Sequence, residues 1–198
     1  MTRRTQAERS ESTRAALLAA ARELFAERGY AAVSTEDVVA AAAVTRGALY
    51  HHYRHKRDLF RAVFEQLEAD LVTRLAGAVG EAADAATAMD RGLVAFLDAC
   101  LERDTARIAL LDAPGVLGWQ EWREIEARYG LGLVLAALSR AMREGLVAEQ
   151  PVEPLAHALF GALTEMALLI ANAPDRAAAR RDAEVALRAL VAGLLQPR

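Results

Sequence analysis

Cysteine and proline are scarce in this sequence, and each shortage excludes a kind of structure. Cys100 is the only cysteine, so the chain cannot form an internal disulfide. Its apolar neighbours favour a packed thiol over a reactive one, and a chain without disulfides is typical of a reducing cytoplasm. The five prolines, and the lack of any sustained alternation of apolar and polar residues, argue against β-sheets. An all-α protein is therefore predicted.

Long uncharged stretches are also scarce. One segment, residues 154–174, contains a single charged residue, Glu165, and its length is marginal for a membrane span. The segment is rich in alanine, contains His157 and Asn172, and lacks aromatic or basic anchors, so it predicts a helix buried in a protein interface. The first 14 residues have no apolar core of the kind that a secretory signal needs. We therefore expect a cytoplasmic protein with no membrane partner.

Residue sets that support catalysis are missing as well. The sequence shows no spaced pair of nucleophile and base, no glycine-rich phosphate loop and no set of metal ligands. His51 and His55 are four residues apart, but no cysteine or paired carboxylate nearby completes a zinc site. A non-enzymatic protein with no cofactor and no bound metal is predicted. For His51, contact with a binding partner and a plain surface role both stay open.

Basic and polar residues are concentrated near the N-terminus. Residues 1–60 contain ten Lys and Arg and seven Asp and Glu, a net charge of +3, whereas the other 138 residues contain 14 and 20, a net charge of −6. The segment VTRGALYHHYRHKRDLF, residues 44–60, holds three of the four histidines, two of the four tyrosines and the only lysine. This division favours a basic binding module attached to an acidic body.

Caps and apolar periodicity predict helices along the whole chain. The first four are a helix capped by Ser12 or Thr13 and ended by Arg28 and Gly29, a second capped by Ser34 or Thr35, a third over Arg46–His52 capped by Thr45, and a fourth over Lys56–Val79. Later helices are predicted near residues 89–101 and 105–111 and over 119–145, 152–172 and 176–195. The proline and glycines of DAPGVLG, residues 112–118, predict a loop between them.

Three short helices with a sharp turn between the second and third are typical of a helix-turn-helix unit, whose last helix enters the major groove of DNA. Arg46 can donate to guanine or to phosphate, and His51 can bond to base edges. Gly47 allows a close approach of the backbone, and Tyr50 can bind a phosphate through its hydroxyl. Lys56, at a helix N-terminus, adds its charge to a phosphate contact. We predict DNA contacts from Thr35, Thr45, Arg46, Gly47, Tyr50, His51 and Lys56.

The segment ARELFAERGYAAVSTEDVVAAAAVTRGALYHHYRHKRDLFRAVF, residues 21–64, resembles the DNA-binding domain of TetR-family transcriptional regulators. The residues that carry the resemblance are Phe25, Gly29, Tyr30, Thr35, Tyr50, His52, Tyr53 and Lys56. In the family pattern His52 matches a position that braces the helices. The family commonly has glycine in the turn before Val44, where this chain has Ala43. If Ala43 has a positive φ, it costs about 1 kcal/mol there.

The resemblance implies a domain organisation and a function. A flexible basic arm is expected over residues 1–10, the helix-turn-helix domain over 11–71 with its motif at 34–53, and an effector-binding and dimerisation domain over 72–198. The protein would then be a repressor that a small, largely apolar ligand releases from a palindromic DNA operator. A regulator that has no small-molecule effector, and is constitutive or controlled by a protein partner, is the alternative.

Candidate effector contacts rest partly on that resemblance, because the family's larger domain usually encloses an effector site. Aromatic residues along a helix can equally fill a core, and this alternative stays open. Gly130 and Gly132 would be explained by a bound molecule or a closely packed helix. Glu165, a lone carboxylate in an apolar stretch, could bind an effector or lie at a dimer interface. The candidate pocket residues are Phe64, Phe96, Trp119, Trp122, Tyr129, Leu133, Glu165 and Met166.

A homodimer is predicted because the helix over residues 155–171 is apolar on nearly all sides, and one chain cannot cover it all. The last two helices would pair with their copies in a four-helix interface. The candidate interface residues are Leu159, Leu163, Leu169, Leu187, Leu190, Val191 and Leu194.

Overall fold

The computed structural model describes residues 6–80 and 82–195, and over those residues the chain is helical with no β-strand, which confirms the predicted all-α class. The elements in chain order are α1 (Gln6–Arg28), α2 (Thr35–Ala41), α3 (Arg46–His52), α4 (Lys56–Gly80), α5 (Ala85–Ala99), a π-helical segment (Thr105–Asp112), α6 (Ala113–Leu117), α7 (Trp119–Arg143), α8 (Val152–Asn172) and α9 (Arg176–Leu194).

The first three helices share one apolar core with the N-terminal half of α4: α1 contacts α2, α3 and α4, and α2 contacts α3. Leu17 of α1, Val38 of α2, Leu49 of α3 and Phe60 of α4 are all fully buried there. Gly29, with φ 79°, ends α1 as the sequence predicted. The predicted domain limit at residue 71 falls inside α4, which continues without a break to Gly80.

The start of α1 differs from the sequence prediction. The helix begins at Gln6 instead of near Ser12, so residues 6–10 are helical, whereas a flexible arm was expected over 1–10. Residues 1–5 of that arm lie outside the described residues. The extra turns contain Gln, Ala, Glu and Arg, which are good helix formers, and extending an existing helix costs far less than starting one.

The loop predicted for residues 112–118 was wrong. Ala113–Leu117 form α6, which continues directly from the π-helical segment, and Pro114 lies in its first turn. Pro114 has no amide hydrogen to donate to the preceding turn, and the Ala109 carbonyl, five residues earlier, accepts from the Trp122 indole instead. Gly118, with φ 83°, then separates α6 from α7.

The second half of the chain packs around α8. This helix contacts α7, α9 and the π-helical segment, and its buried residues include Phe160 and Ile170. By length and composition α8 could cross a membrane, although 39% of its most apolar 18-residue window is buried inside the protein. Part of its apolar surface therefore stays uncovered in a single chain.

Candidate functional sites

The candidate DNA-binding surface is formed by the N-terminal ends of α2 and α3. At α2, Ser34 Oγ accepts from the amide of Asp37 at 3.1 Å, and the amide of Ser34 donates to Asp37 Oδ2 at 2.8 Å. At α3, Thr45 Oγ1 accepts from the amide of Ala48 at 3.2 Å. These caps satisfy backbone donors that would otherwise be unpaired. Two seven-residue helices thereby gain defined starts.

The turn between α2 and α3 contains the positive φ angle that was considered for Ala43 from the sequence. Ala43 has a φ of 51°, the only positive φ outside glycine among the described residues. Its amide donates to Ala40 O at 3.2 Å, and the amide of Val44 donates to Val39 O at 3.2 Å. The left-handed residue is thus held in a hydrogen-bonded turn that sets the angle between the two helices.

Arg46 and Tyr50 form a cluster on the exposed side of this surface. The Arg46 guanidinium lies 5.5 Å from the centroid of the Tyr50 ring and 3.4 Å from Glu36 Oε1. Hydrogen bonds with the Thr35 and Arg46 side chains lower the pKa of the Tyr50 hydroxyl. The predicted contacts Thr35, Arg46 and Tyr50 are therefore brought together, with Glu36 as a counter-ion that the sequence reasoning did not select.

The remaining predicted contacts on α3 are also at its surface. Gly47 and His51 are exposed, and the His51 ring lies edge-on to that of His52 at 5.2 Å. Leu49 on the opposite side is fully buried. α3 is thus anchored through Leu49 and presents Arg46, Gly47 and His51 outward.

Lys56 is held more tightly than the other predicted contacts. Its Nζ donates to Tyr30 O and to Val33 O, both at 2.9 Å, and lies 4.0 Å from the centroid of the Tyr30 ring. The ammonium thus joins the start of α4 to the loop between α1 and α2. Its contact with phosphate stays a prediction, and the structure adds a role in positioning that loop.

A second candidate site is a cavity of about 280 Å³ in the C-terminal half of the chain. Its walls come from α4, α5, the π-helical segment, α7, α8 and one residue of α9, and they are mostly leucine, valine, alanine and phenylalanine. The volume lies just below the range of about 300–1,000 Å³ that is usual for ligand pockets. A small, mainly apolar molecule fits these dimensions.

Two of the eight predicted pocket residues, Phe96 and Leu133, line this cavity. Trp119 is 61% exposed and Glu165 is exposed on α8, whereas Trp122 is fully buried and donates from Nε1 to Ala109 O at 3.0 Å. The other three residues that pack elsewhere are Phe64, Tyr129 and Met166. The apolar periodicity of α7 indicated which side of the helix faces inward. It did not distinguish residues that pack in the core from residues that line the cavity.

Two buried carboxylates in the cavity wall were missed by the sequence reasoning. Glu68 on α4 is 7% exposed and Glu126 on α7 is 8% exposed. Burial, together with the nearby charge of Glu126, raises the pKa of Glu68 to about 8. Burial also raises the pKa of Glu126 to about 7, against the opposing effect of Arg123, whose Nη1 lies 2.8 Å from Glu126 Oε2. Arg123 therefore favours the charged form of Glu126, whereas burial and the charge of Glu126 both favour the protonated form of Glu68.

A sequence signal for both carboxylates existed. Glu68 follows Phe60 and Phe64 at intervals of four residues, and Glu126 follows Trp122 at the same interval. Residues four apart share one face of a helix, so an acid in such a row is directed to the same side as its apolar neighbours. Gly130 continues the second row; a Cβ there would lie 2.9 Å from the ring of Phe160, which agrees with the closely packed helix considered above. A Cβ at Gly132 would meet nothing within 4 Å.

The cavity wall is connected to the DNA-binding surface by polar contacts. Asp112, the last residue of the π-helical segment, accepts from the Tyr30 amide at 2.7 Å. Arg57 of α4 donates to Val116 O at 3.2 Å and to Leu117 O at 3.0 Å in α6. Thr105, Ala109 and Leu110 of the same π-helical segment line the cavity. The π-helical segment and α6 therefore contact the DNA-binding domain through Tyr30 and Arg57, and the π-helical segment also lines the cavity.

The predicted interface residues divide between the surface and the interior. Leu169 and Leu190 are 47% and 46% exposed on α8 and α9, and Val185, which was not predicted, is 71% exposed. Leu187 is buried in the main core, and Leu194 packs on a smaller cluster near Val147. The three predicted interface residues that line the cavity are Leu159, Leu163 and Val191.

Comparison with protein families finds two matching models. The model described as bacterial regulatory proteins, tetR family, matches residues 17–63. The model described as a tetracyclin repressor-like C-terminal domain matches residues 86–194, which is more than half of the chain. The two matches cover the DNA-binding surface and most of the cavity.

Individual proteins agree with the family models. The chain is 28% identical over 176 residues to the transposon Tn10 TetC protein of Escherichia coli, and the match covers 87% of each chain. It is 46% identical over 72 residues, 36% of each chain, to the HTH-type transcriptional regulator CymR of Pseudomonas putida. The crystal structure of a TetR-family transcriptional regulator from Pectobacterium atrosepticum is similar with a TM-score of 0.87 and 39% identity, covering 98% of this chain and 100% of that one.

Proposed function

This chain belongs to the TetR family of bacterial transcriptional regulators, and from that premise we propose that it is a homodimeric repressor that a small, largely apolar ligand releases from a palindromic operator. It acts in the cytoplasm, where it binds double-stranded DNA. The observation that carries the proposal is the position of α4, whose first half shares a core with the DNA-binding helices through α1 and whose second half lines the cavity.

A change in the tilt of α4 can transmit ligand binding in the cavity to the helices that contact DNA. Phe60 and Val63 are buried with the helices that carry the DNA contacts, whereas Leu71 and Leu75 of the same helix line the cavity. A ligand that prefers a different tilt of α4 therefore also prefers a different position of α3. The π-helical segment supplies a second route through Asp112 and Tyr30.

In a two-fold dimer, these tilts set the distance between the two α3 helices. Consecutive half-sites on one face of DNA are about 34 Å apart, so a change in that distance weakens binding to both at once. A ligand shifts the equilibrium between the DNA-binding and the released conformation only if it binds one of them more tightly. To shift that equilibrium from 1:99 to 99:1, the ligand must favour the released conformation by about 5.5 kcal/mol of binding free energy.

Recognition of DNA would begin at the cluster on α3. Arg46 is exposed and able to donate two hydrogen bonds to guanine, after Glu36 releases it. Thr35 and Tyr50 lie beside Arg46 and would bind phosphate, as would Lys56 at the start of α4. Thr45 holds the start of α3, and Gly47 and His51 face outward beside Arg46.

Selection from random double-stranded DNA tests the DNA-binding part of the proposal. We expect a roughly palindromic consensus, and we expect Arg46→Ala to reduce the preference for that consensus over random DNA by about tenfold or more. His51→Ala is expected to act in the same direction. Lys56→Ala is expected to weaken binding to every sequence and to reduce the salt dependence by about one unit. Equal losses on specific and random DNA for all three variants would contradict the assignment of base contacts.

A cavity-filling variant tests the ligand-binding part. Leu75→Trp places an indole inside the cavity and is expected to abolish release from the selected operator by any compound that releases the native protein. Leu111→Trp adds the same ring at an exposed position outside the cavity and is expected to keep the response. If no compound in a broad screen loosens operator binding, the protein is instead a regulator without a small-molecule effector.

A further inference from the structure

The two carboxylates in the cavity differ in their partners. Glu126 is paired with Arg123, whose Nη1 also donates to Thr164 Oγ1 at 2.8 Å. Glu68 is only 7% exposed, yet it has no hydrogen bond or ion pair among the described residues, and the titratable groups that act on it are Glu126 and Cys100. A second polar group in the wall, Thr105 Oγ1, is buried without a hydrogen-bond partner.

An unpaired acid in an apolar wall costs the folded protein stability. A carboxyl group that loses water without gaining a partner is held in its neutral form or destabilises the fold. A leucine or glutamine at this position would avoid much of that cost. None of the residues described by the structure gives Glu68 a hydrogen-bond or ion-pair partner, so we expect its partner to be a molecule bound in the cavity that it lines.

From these contacts we propose that the cavity binds a small organic cation, with an apolar body and one positively charged nitrogen that Glu68 neutralises. The proposal rests on the proposed function only in taking the cavity as the effector site, and it names the class of effector.

The rest of the cavity agrees with such a ligand. Arg123 already offsets the charge of Glu126, so the carboxylate left to attract a cation is Glu68. The rings of Phe96 and Phe160 line the same space, and aromatic faces attract cations when water is excluded. The unpaired Thr105 hydroxyl can accept from an N–H group of the ligand. An anionic ligand would be repelled by the two acids. The basic residue in the wall, Arg140, is already bonded to Glu144 and to the Ala82 carbonyl, so it is not free to pair with an anion.

Cation binding is expected to release a proton, because Glu68 must ionise to pair with it. The charged and titratable groups that bear on Glu68 are Glu126 and Arg123 on α7 and Cys100 at the end of α5, while α8 and the π-helical segment contribute the neutral Thr164 and Thr105. Burial raises the pKa of Cys100 to about 12, so its thiol stays neutral. Affinity for a cation should therefore rise with pH up to about 8, by at most about tenfold per pH unit.

Calorimetric titration of the full chain without DNA tests the proposal. The probes are phenylpropylamine, phenylpropanol and phenylpropanoate, and the same set with a phenylbutyl chain, which differ in charge but share an apolar body. At pH 8 we expect the ammonium forms to bind at least about tenfold more tightly than the alcohols, and the carboxylates to bind most weakly. Titration in two buffers of different ionisation enthalpy should show proton release with the amines only.

Matched variants separate the role of Glu68 from that of acids in general. Glu68→Gln keeps the shape of the side chain and should make amine and alcohol bind equally, without proton release. Glu126→Gln should reduce the amine preference less, because Arg123 already offsets that charge. Glu165→Gln removes an exposed acid from α8 and should leave every affinity unchanged.

Three outcomes would overturn the proposal: equal affinity for amine and alcohol at pH 8, no binding of either amine at millimolar concentration, or an amine preference that persists in Glu68→Gln. Release from the operator is measured separately with the same amines. An amine that binds but releases no DNA leaves the cation site intact and contradicts ligand-controlled repression, so the two failures are distinguishable.

Discussion

Ala43 shows how one backbone angle in the DNA-binding domain affects stability. Its φ of 51° lies in the left-handed region, where a Cβ crowds the following carbonyl and glycine has no such penalty. The turn is kept because Val38 and Leu49 on either side are fully buried and fix the two helices. The strain is thus offset by packing on both sides.

Replacing Ala43 with glycine should therefore stabilise the protein. We expect Ala43→Gly to raise the free energy of unfolding by about 0.5–1 kcal/mol, since relief of strain is partly cancelled by the greater freedom of glycine in the unfolded chain. Ala40→Gly, at an exposed helical position of α2, is the matched control and should lower it by about 1 kcal/mol. Urea denaturation measures both; destabilisation by Ala43→Gly would contradict the strain argument.

Single residues also show where sequence reasoning succeeds. The cap Thr45 was predicted, Ser34 was one of two caps predicted for α2, and a positive φ at Ala43 was stated as a condition, because each depends on the few residues around it. The lack of a partner for Glu68 depends on where α5, α7 and α8 place their side chains. No local pattern contains that information, although the row from Phe60 through Phe64 to Glu68 indicated its direction.

At the scale of elements, α4 and α7 place two acids in one apolar space. The folded chain binds protons there more tightly than the unfolded chain, because burial raises the pKa of Glu68 from an ordinary 4.5 to about 8 and that of Glu126 to about 7. For an acid whose pKa is higher in the folded state, stability is full below the unfolded pKa and is lost as the pH rises toward the folded one. The fold should therefore lose stability between about pH 4.5 and pH 8 from these two groups.

Glu68→Gln should remove part of that pH dependence. We expect the variant to be more stable than the native chain at pH 8, by an amount on the order of a few kcal/mol, and the difference to shrink toward pH 5. The variant and the native chain share all other titratable groups, so the contributions of those groups to the pH dependence of stability cancel in the difference. One of them is His52, whose pKa is lowered by burial and whose effect on stability has the opposite sign. Glu165→Gln should show no such trend. Chemical denaturation at several pH values measures the difference, and a constant difference from pH 5 to pH 8 would contradict it.

At the scale of elements, the segment over residues 105–118 shows where local sequence patterns fail to predict secondary structure. Pro114 and two glycines were interpreted as a loop, yet the chain stays helical from Thr105 to Leu117. The wider π-helical turns were not predictable from composition, since they depend on packing against α1, α4 and α8. The segment nevertheless connects the cavity to the DNA-binding domain, so it belongs to the route by which we propose that ligand binding affects DNA binding.

At the scale of the whole molecule, α8 and α9 leave apolar surface uncovered. Leu169 on α8 and Val185 and Leu190 on α9 are large apolar residues that are roughly half or more exposed. Exposed apolar surface on these two helices supports the proposed dimer interface. The sequence predicted an interface on these two helices from their composition. Which leucines face it depends on helix rotation, so Leu159 and Leu187 turn inward instead.

A charge placed in this patch should separate the two chains of the proposed dimer. In Leu190→Glu the new carboxylate would be buried without a partner in the four-helix interface, so we expect dimerisation to weaken by more than about 100-fold. The position is already 46% exposed in one chain, so the helical content of each protomer should be unchanged. Leu111→Glu introduces the same charge at an exposed leucine of the π-helical segment and should leave the dimer intact.

Sedimentation velocity over a concentration series measures the dimerisation of both variants. Operator binding should weaken together with dimerisation, because each separate protomer then reads one half-site. A Leu190→Glu protein that still sediments as a dimer would place the interface elsewhere, and a native chain that sediments as a monomer at every concentration would remove the basis for reading a palindrome.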